Sequence, residues 1–137
     1  TPYWYSFSRK NYTNNSNGTV DTLTEQNSFD EGITWKDQYR TVYTYNSASG
    51  IANVLHCFWH DGLGDWANSR KETYTYDDNS YLITVLEESW DKDSSKWLNA
   101  SKEEYVNNNG GTPNKIIFSI WQQNAWGELG TITFTYT

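Results

Sequence analysis

Tryptophan spacing is the feature that most constrains what this chain can fold into. Trp35, Trp66 and Trp97 follow one another at intervals of 31 residues, and Trp59, Trp90 and Trp121 form a second series with the same interval. Two series with one period indicate tandem copies of a supersecondary unit, because stacked copies of such a unit share a continuous core. The sequence therefore predicts a repeat protein.

Alignment on this period shows what else recurs in each copy. The aromatic residues eight positions after each leading tryptophan are Tyr12, Tyr43, Tyr74, Tyr105 and Phe134. The basic residues five positions after it are Arg9, Arg40, Lys71 and Lys102, and Thr131 takes this place in the last copy. We expect a single repeat domain over residues 1–137, with units at about 4–34, 35–65, 66–96 and 97–125 and a half unit at 126–137.

Each unit is predicted to be a β-hairpin. Residues 70–76 alternate in size and are rich in Thr and Tyr, which suits a half-buried strand, and residues 77–80 supply turn-forming side chains. The pattern predicts an all-β antiparallel meander of nine strands near 3–13, 18–29, 34–46, 51–60, 66–76, 81–91, 96–106, 114–123 and 126–136. With an odd number of strands the first and last run in the same direction and cannot pair antiparallel. We therefore expect an open, twisted or curled sheet with two available outer strands.

Charge and composition exclude several partners. The formal net charge of −7 disfavours nucleic acid, whose binding relies on a basic surface, and no apolar run is long enough to span a membrane. Aromatic residues make up 18% of the chain, so burial must come largely from Trp and Tyr rings. Cys57 has no second cysteine to pair with. The chain begins at Thr1 without Met or a signal peptide, and we expect it to be a mature or excised segment.

One segment resembles a known family of repeats. The stretch 74–82, Tyr-Thr-Tyr-Asp-Asp-Asn-Ser-Tyr-Leu, and its weaker copy at 43–51 resemble the YD repeats of the RHS family and similar Tyr-x-Tyr-Asp repeats of bacterial surface and secreted proteins. The resemblance implies tandem β-hairpins that form long strips or shells. It also implies an exported or cell-surface location, and a structural or surface-interaction role without catalysis by the repeat.

Strand register decides what the tryptophans can do. In one register Trp59, Trp66, Trp90, Trp97 and Trp121 share a face, and a shift of one residue in the loop at 77–79 moves the two series to opposite faces. A shared, exposed row could stack sugar rings, as in a carbohydrate-binding module. The alternative is that the rings stabilise the sheet as ordinary cross-strand aromatic pairs. The basic residues are predicted to lie on the opposite side of their strands from the leading tryptophan, on a solvated, salt-bridged face.

Sites for metals and catalysis find little support in the sequence. His56 and His60 lie four residues apart on one face, with too few further ligands for zinc, and the loop at 91–95 suits turn formation better than calcium binding. No nucleophile, phosphate-binding or metalloprotease motif is present, so we predict no enzyme activity and no cofactor. Four Asn-x-Ser/Thr sites, at Asn11, Asn14, Asn17 and Asn99, would accept glycans only in a glycosylating secretory pathway.

The leading functional hypothesis is a non-catalytic, exported β-hairpin repeat protein. It would act as a structural or adhesive cell-surface module that can self-associate through its edge strands. The alternative hypothesis is a carbohydrate-binding module that holds a surface polysaccharide on the tryptophan row. A third, a shell fragment of a larger toxin-like protein, requires further copies on either side.

Overall fold

The computed structural model describes residues 7–136 as nine β-strands, with no helix among them. The strands are β1 (Phe7–Asn14), β2 (Val20–Ser28), β3 (Lys36–Tyr45), β4 (Ile51–His60), β5 (Asp65–Tyr76), β6 (Leu82–Asp91), β7 (Lys96–Asn107), β8 (Pro113–Gln122) and β9 (Ala125–Thr133). They form one antiparallel sheet in the order in which they occur in the chain. No helix in this part of the chain is long and apolar enough to cross a membrane.

The predicted fold class is confirmed. Each strand pairs with its neighbours in sequence, the sheet is not closed, and β1 and β9 are its outer strands. The predicted strands correspond to the observed ones with differences of a few residues at their ends. The predicted start of the first strand, together with Trp4, lies outside the described residues.

Contacts divide the chain into two compact units. The first unit comprises the residues up to Thr44 together with Val54–Ser69, and the second comprises Tyr45–Asn53 and the residues from Arg70 onward. The single repeat domain expected from the period stays a prediction. In the first unit Val54 and Cys57 are the buried hydrophobic side chains among the described residues. Most side chains on the strands are half-buried, so cross-strand contacts must supply much of the stability.

One turn recurs with the period of the sequence. Asn15, Asn46, Asp77 and Asn108 each begin a turn in which the backbone amide donates to the carbonyl four residues later. In the turn at Asp77, the side-chain oxygen also accepts the amides of Asn79 and Tyr81, which is how Asp and Asn stabilise turns. The residue three positions after the Asn or Asp has a positive φ in every copy, and it is Gly18, Ser49, Ser80 or Gly111.

A β-bulge recurs in the strands that begin at a leading tryptophan. In β7, Ser101 pairs with Glu87 and Asn99 pairs with Glu88, so Ala100 is an extra residue without a partner on β6. Gln38 in β3 and Leu129 in β9 are extra residues in the same way. Each lies three positions after the leading tryptophan of its copy. Because an extra residue shifts the alternation of side chains, residues separated by five positions across the bulge share one face.

Hydrogen bonds between neighbouring strands stabilise the second unit at the turn end of its hairpins. The Tyr76 hydroxyl donates to the carbonyl of Ile51 at 2.8 Å, and the Asn107 amide donates to that of Leu82 at 2.8 Å. The hydroxyl of Tyr136 donates to the carbonyl of Pro113 at 2.7 Å. A residue at the end of one outgoing strand thus bonds to the start of the preceding return strand. The seventh strand was predicted to end near residue 106; β7 extends to Asn107, which makes one of these bonds.

Candidate functional site

Tryptophans pair across the short loops that join return strands to outgoing strands. Three pairs pack edge to face, with ring centroids 5.0–5.4 Å apart: Trp59 with Trp66, Trp90 with Trp97, and Trp121 with Trp126. Trp90 lies directly opposite Trp97 in the register, and Trp121 lies directly opposite Trp126. Such contacts stabilise a sheet beyond the area they bury, by about 0.5–1.5 kcal/mol per pair.

The register of β6, β7, β8 and β9 brings four tryptophans to one face of the second unit. We call this surface the tryptophan face; it carries Trp90, Trp97, Trp121 and Trp126. Three of the five tryptophans predicted for a ligand site therefore share a face, and the other two, Trp59 and Trp66, contact each other in the first unit. Trp126 was absent from the predicted set. It follows Trp121 by five residues instead of seven, and only its alignment with the half unit could have indicated it.

Each basic residue of the repeat lies over the leading tryptophan of the next copy. The guanidinium of Arg9 is 4.3 Å from the ring centroid of Trp35, and that of Arg40 is 4.7 Å from that of Trp66. The ammonium of Lys71 is 5.0 Å from the centroid of Trp97, and that of Lys102 is 5.1 Å from that of Trp126. These are cation–π contacts that link successive copies.

The predicted position of Arg40 and Lys102, on the opposite side from the leading tryptophan, is therefore wrong. They were placed on the opposite side from the leading tryptophan because strict alternation puts residues five apart on opposite faces. The bulge three residues after Trp97 adds one residue, so Lys102 shares a face with Trp97. Lys71 and Lys102 are consequently part of the tryptophan face.

Two rings of the tryptophan face each make two contacts with other side chains. Trp97 and Trp126 each have a cation over one ring face and a second tryptophan against them. All seven described tryptophans are partly accessible and none is buried. The ring contacts support a packing role. Part of each tryptophan ring is still accessible, so the predicted ligand site stays a prediction.

The first copy has no tryptophan at the position of Trp59, Trp90 and Trp121. Ser28 takes that place, is buried, and donates from its hydroxyl to Asp30 at 2.7 Å. Asp30 also accepts the hydroxyl and the backbone amide of Thr34, and these bonds hold the pKa of its carboxyl at about 2. A polar network thus replaces the aromatic pair in this copy.

A cavity of about 250 Å³ lies in the second unit, and its lining residues include three carboxylates and two phenols. Tyr105 donates to Glu103 at 2.5 Å, and burial together with this bond raises the pKa of Tyr105 to about 12. Tyr74 donates to Glu72 at 2.6 Å, and burial and this bond raise its pKa also. Both phenols are therefore fixed as neutral donors near neutral pH.

A second cavity, of about 450 Å³, lies in the first unit, and we call it the aromatic groove. It is lined on one side of the strands by Glu25, Gln38, Tyr39, Thr41, His56 and Phe58. Tyr39 is 60% exposed and Phe58 is 38% exposed. This groove was not predicted from the sequence. The signal that could have indicated it is that several of its residues differ in type from the residues 31 positions later.

The residues considered for metal binding are not arranged to hold a metal. Across residues 7–136 no three His, Cys, Asp or Glu side chains form such a group. His56 lies 3.4 Å from the Thr41 hydroxyl, and the buried Cys57 thiol donates to the Asn68 side chain at 3.9 Å. In the loop considered for calcium, Asp91 accepts the hydroxyl of Ser94 at 2.6 Å, and this bond is the main cause of its lowered pKa. This loop has the bonding of a turn.

The outer strands differ in how well their edges are protected. In β1, Lys10 forms an ion pair with Glu25 at 3.4 Å, and Arg9 is the neighbouring charge. In β9 the charged residue is Glu128, whereas Leu129 is 65% exposed. Charged side chains, especially lysine, discourage pairing at a sheet edge. β9 is therefore the less protected edge.

Comparison with known proteins identifies the fold but no family. No protein-family model and no curated protein sequence matches the chain. A solved Bacteroides fragilis protein of unknown function is similar, with a TM-score of 0.77 and 12% identity over 94% of this chain and 93% of that chain.

Two solved DUF3836 family proteins are also similar. The one from Bacteroides vulgatus has a TM-score of 0.59 and 18% identity over 68% of this chain and 90% of that chain. The one from Parabacteroides distasonis has a TM-score of 0.51 and 20% identity over 69% of this chain and 86% of that chain. At these identities the likeness shows the fold alone. It gives no indication of YD repeats, so that resemblance stays a prediction.

Proposed function

We propose that the chain is a non-catalytic β-hairpin repeat module with a structural or adhesive role, and that it associates through its outer strand β9. The observation that carries the proposal is an open sheet in which β9 ends the strand order. An outer strand presents a row of unpaired backbone groups that can pair with another chain. The tryptophans and bases support this role indirectly, because their contacts with one another stabilise the repeat itself.

The direction of the backbone groups in β9 supports pairing on its free side. The amide of Phe134, which follows β9, donates to the carbonyl of Asn114, on the side of β8. Successive residues of a strand direct their backbone groups to opposite sides, so the amide of Thr133 points away from β8. We infer that Thr133 offers a donor to an added strand.

A second copy of this chain fits the free side of β9. Two copies related by a two-fold axis would pair their β9 strands antiparallel, which continues the pattern of the sheet. Like-charge repulsion at this contact is small because β9 contains one charged residue, Glu128, although the whole chain carries a net charge of −7.

Proline at position 133 tests the pairing. Thr133→Pro removes an outward donor and leaves the bonds to β8 in place, since proline is tolerated on edge strands. Light scattering across a range of protein concentrations should show dimers for the wild type and a strong shift to monomer for Thr133→Pro. Thr133→Val retains the amide and should behave like the wild type. A wild-type protein that is monomeric at every concentration, or equal association of the two variants, would contradict the proposal.

Location outside the cell is part of the same proposal. Its support is the resemblance to Tyr-x-Tyr-Asp repeats of surface and secreted proteins. Fractionation of the producing cells, with an antibody against the folded chain, should find the protein in the medium or at the surface. Recovery from the cytoplasm alone would be evidence against export.

A carbohydrate-binding role for the tryptophan face is the second candidate. The observation that favours it is that Trp90 and Trp121 lie on one face and keep part of their surface accessible. Quenching of tryptophan fluorescence by acrylamide, repeated with a series of oligosaccharides, tests it. Protection by one glycan that is lost in Trp90→Phe and Trp121→Phe would support this role, and emission that no glycan changes would argue against it.

A further inference from the structure

The aromatic groove lies where the chain departs from its own repeat. A shift of 31 residues relates four residues of the groove to residues of the next copy, and the residue type changes each time. The pairs are Tyr39 and Arg70, Thr41 and Glu72, His56 and Glu87, and Phe58 and Ser89. Both copies form strands with the same repeated turn, so the fold itself does not require the residues of the groove.

The equivalent residues in the second unit form ion pairs. Arg70 lies 3.1 Å from Glu72 and 3.4 Å from Glu87. The first ion pair lies along β5 and the second joins β5 to β6, as expected for a solvated sheet surface. In the first unit the same positions carry the two exposed rings of Tyr39 and Phe58, together with Thr41 and His56. The substitution of an ion-pair network by aromatic and polar residues at an open cavity indicates a binding surface.

Both exposed rings, Tyr39 and Phe58, line the groove. Thr41 on β3 is within 3.4 Å of His56 on β4, and the residues equivalent to Tyr39 and Phe58 one repeat later, Arg70 and Ser89, are directly opposite one another. Directly opposite residues in such a pair are about 5 Å apart. By this equivalence Tyr39 and Phe58 would extend from one face of neighbouring strands as an apolar platform.

Hydrogen-bonding groups surround this platform. Thr41, Gln38 and the Tyr39 hydroxyl can donate and accept, and His56 contributes a ring nitrogen. Glu25 and Arg40 also line the groove; the charge of Glu25 is balanced by Lys10 at 3.4 Å, and the guanidinium of Arg40 lies over Trp66. A cavity with an aromatic surface and a few converging polar groups is the usual form of a small-molecule site. A pyranose ring matches it, because one side of the ring is apolar and its rim carries hydroxyls.

We propose that the aromatic groove binds a sugar unit of a neutral oligosaccharide, with Tyr39 and Phe58 as the stacking platform. Balanced charge at Glu25 favours a neutral ligand over an anionic one. The groove shares no residue with β9 or with the tryptophan face, and the inference does not depend on the proposed association.

Titration of the full chain with defined glycans tests the proposal. The probes are hexasaccharides of cellulose, xylan, mannan, amylose and chitin, with oligogalacturonate as the anionic comparison, and the readout is the amide NMR spectrum. At least one neutral hexasaccharide should bind saturably and shift signals of Tyr39 and Phe58. No binding by any neutral probe, or preferential binding of the oligogalacturonate, would overturn it.

Repeat-matched substitutions locate the site. The double variant Tyr39→Arg with Phe58→Ser introduces the residues of the next copy, and we expect binding to weaken by more than about tenfold. Thr41→Val, which removes one hydroxyl, serves as a milder second variant if the double variant unfolds, and it should weaken binding by about three- to tenfold. Trp121→Phe is the control and should bind as the wild type does. Binding lost in Trp121→Phe but kept in the groove variants would refute the groove and favour the tryptophan face.

Discussion

Replacing Ser49 with glycine is expected to stabilise the protein. Ser49 occupies the turn position with a φ of 64°, where L-residues are strained, and the equivalent position holds glycine in two of the four copies. A non-glycine residue in this conformation costs roughly 1–2 kcal/mol, and glycine loses about 0.5–1 kcal/mol more in conformational entropy on folding. The net gain is about 0.5–1 kcal/mol per turn. Ser80, with a φ of 67°, should respond in the same way.

Ser47 provides a matched control in the same turn. Its φ is not positive, so Ser47→Gly carries the entropic cost without relieving strain and should be destabilising. Urea unfolding monitored by tryptophan fluorescence measures all three variants, and the double variant Ser49→Gly with Ser80→Gly should gain about 1–2 kcal/mol if the sites are independent. Gly18→Ala, at a φ of 86° and with nothing near the added methyl, should lose stability. The reasoning fails if Ser49→Gly is as destabilising as Ser47→Gly.

Three further predictions concern contacts within the second unit. Tyr76→Phe removes a hydrogen bond to a backbone carbonyl and should lower the free energy of unfolding by about 0.5–1.5 kcal/mol, as measured by urea denaturation. Because burial and the bond to Glu103 raise the pKa of Tyr105 from 10.0 to about 12, its contribution to stability is complete below pH 10 and is lost as the pH rises through 12. Melting curves between pH 9 and about pH 12 should show this loss, and Tyr105→Phe should reduce it. Lys102→Met removes the cation over Trp126, which should cost about 0.5–1 kcal/mol and increase acrylamide quenching; unchanged quenching would count against the contact.

The period and the turn-forming residues predicted the architecture well. A repeat every 31 residues, with Tyr and Thr alternation between polar clusters, led to nine strands in an open meander, which the structure confirms. The strand ends were close because Asp77 and its equivalents form the turns through their own side chains. Hairpin repeats are predictable in this way because their contacts are local in sequence.

The faces of the strands were harder to predict. A bulge residue such as Ala100 carries no strong sequence signal, yet it reverses the face of every residue after it in the strand. For this reason Lys102 was predicted to lie on the opposite face from Trp97, although the two residues share a face. The aromatic groove was missed for a different reason. The period indicates only the residues that the copies share. Tyr39 and Phe58 are distinctive because the next copy has Arg70 and Ser89 at the equivalent positions.

Amide exchange in β9 tests the proposed association most directly. The amide of Thr133 points away from β8, whereas that of Phe134 is bonded to it and serves as an internal reference. Hydrogen exchange followed by NMR at low and high protein concentration should show Thr133 exchanging freely when dilute and protected when concentrated, with Phe134 changing much less. An amide of Thr133 that exchanges freely at every concentration would contradict pairing through β9.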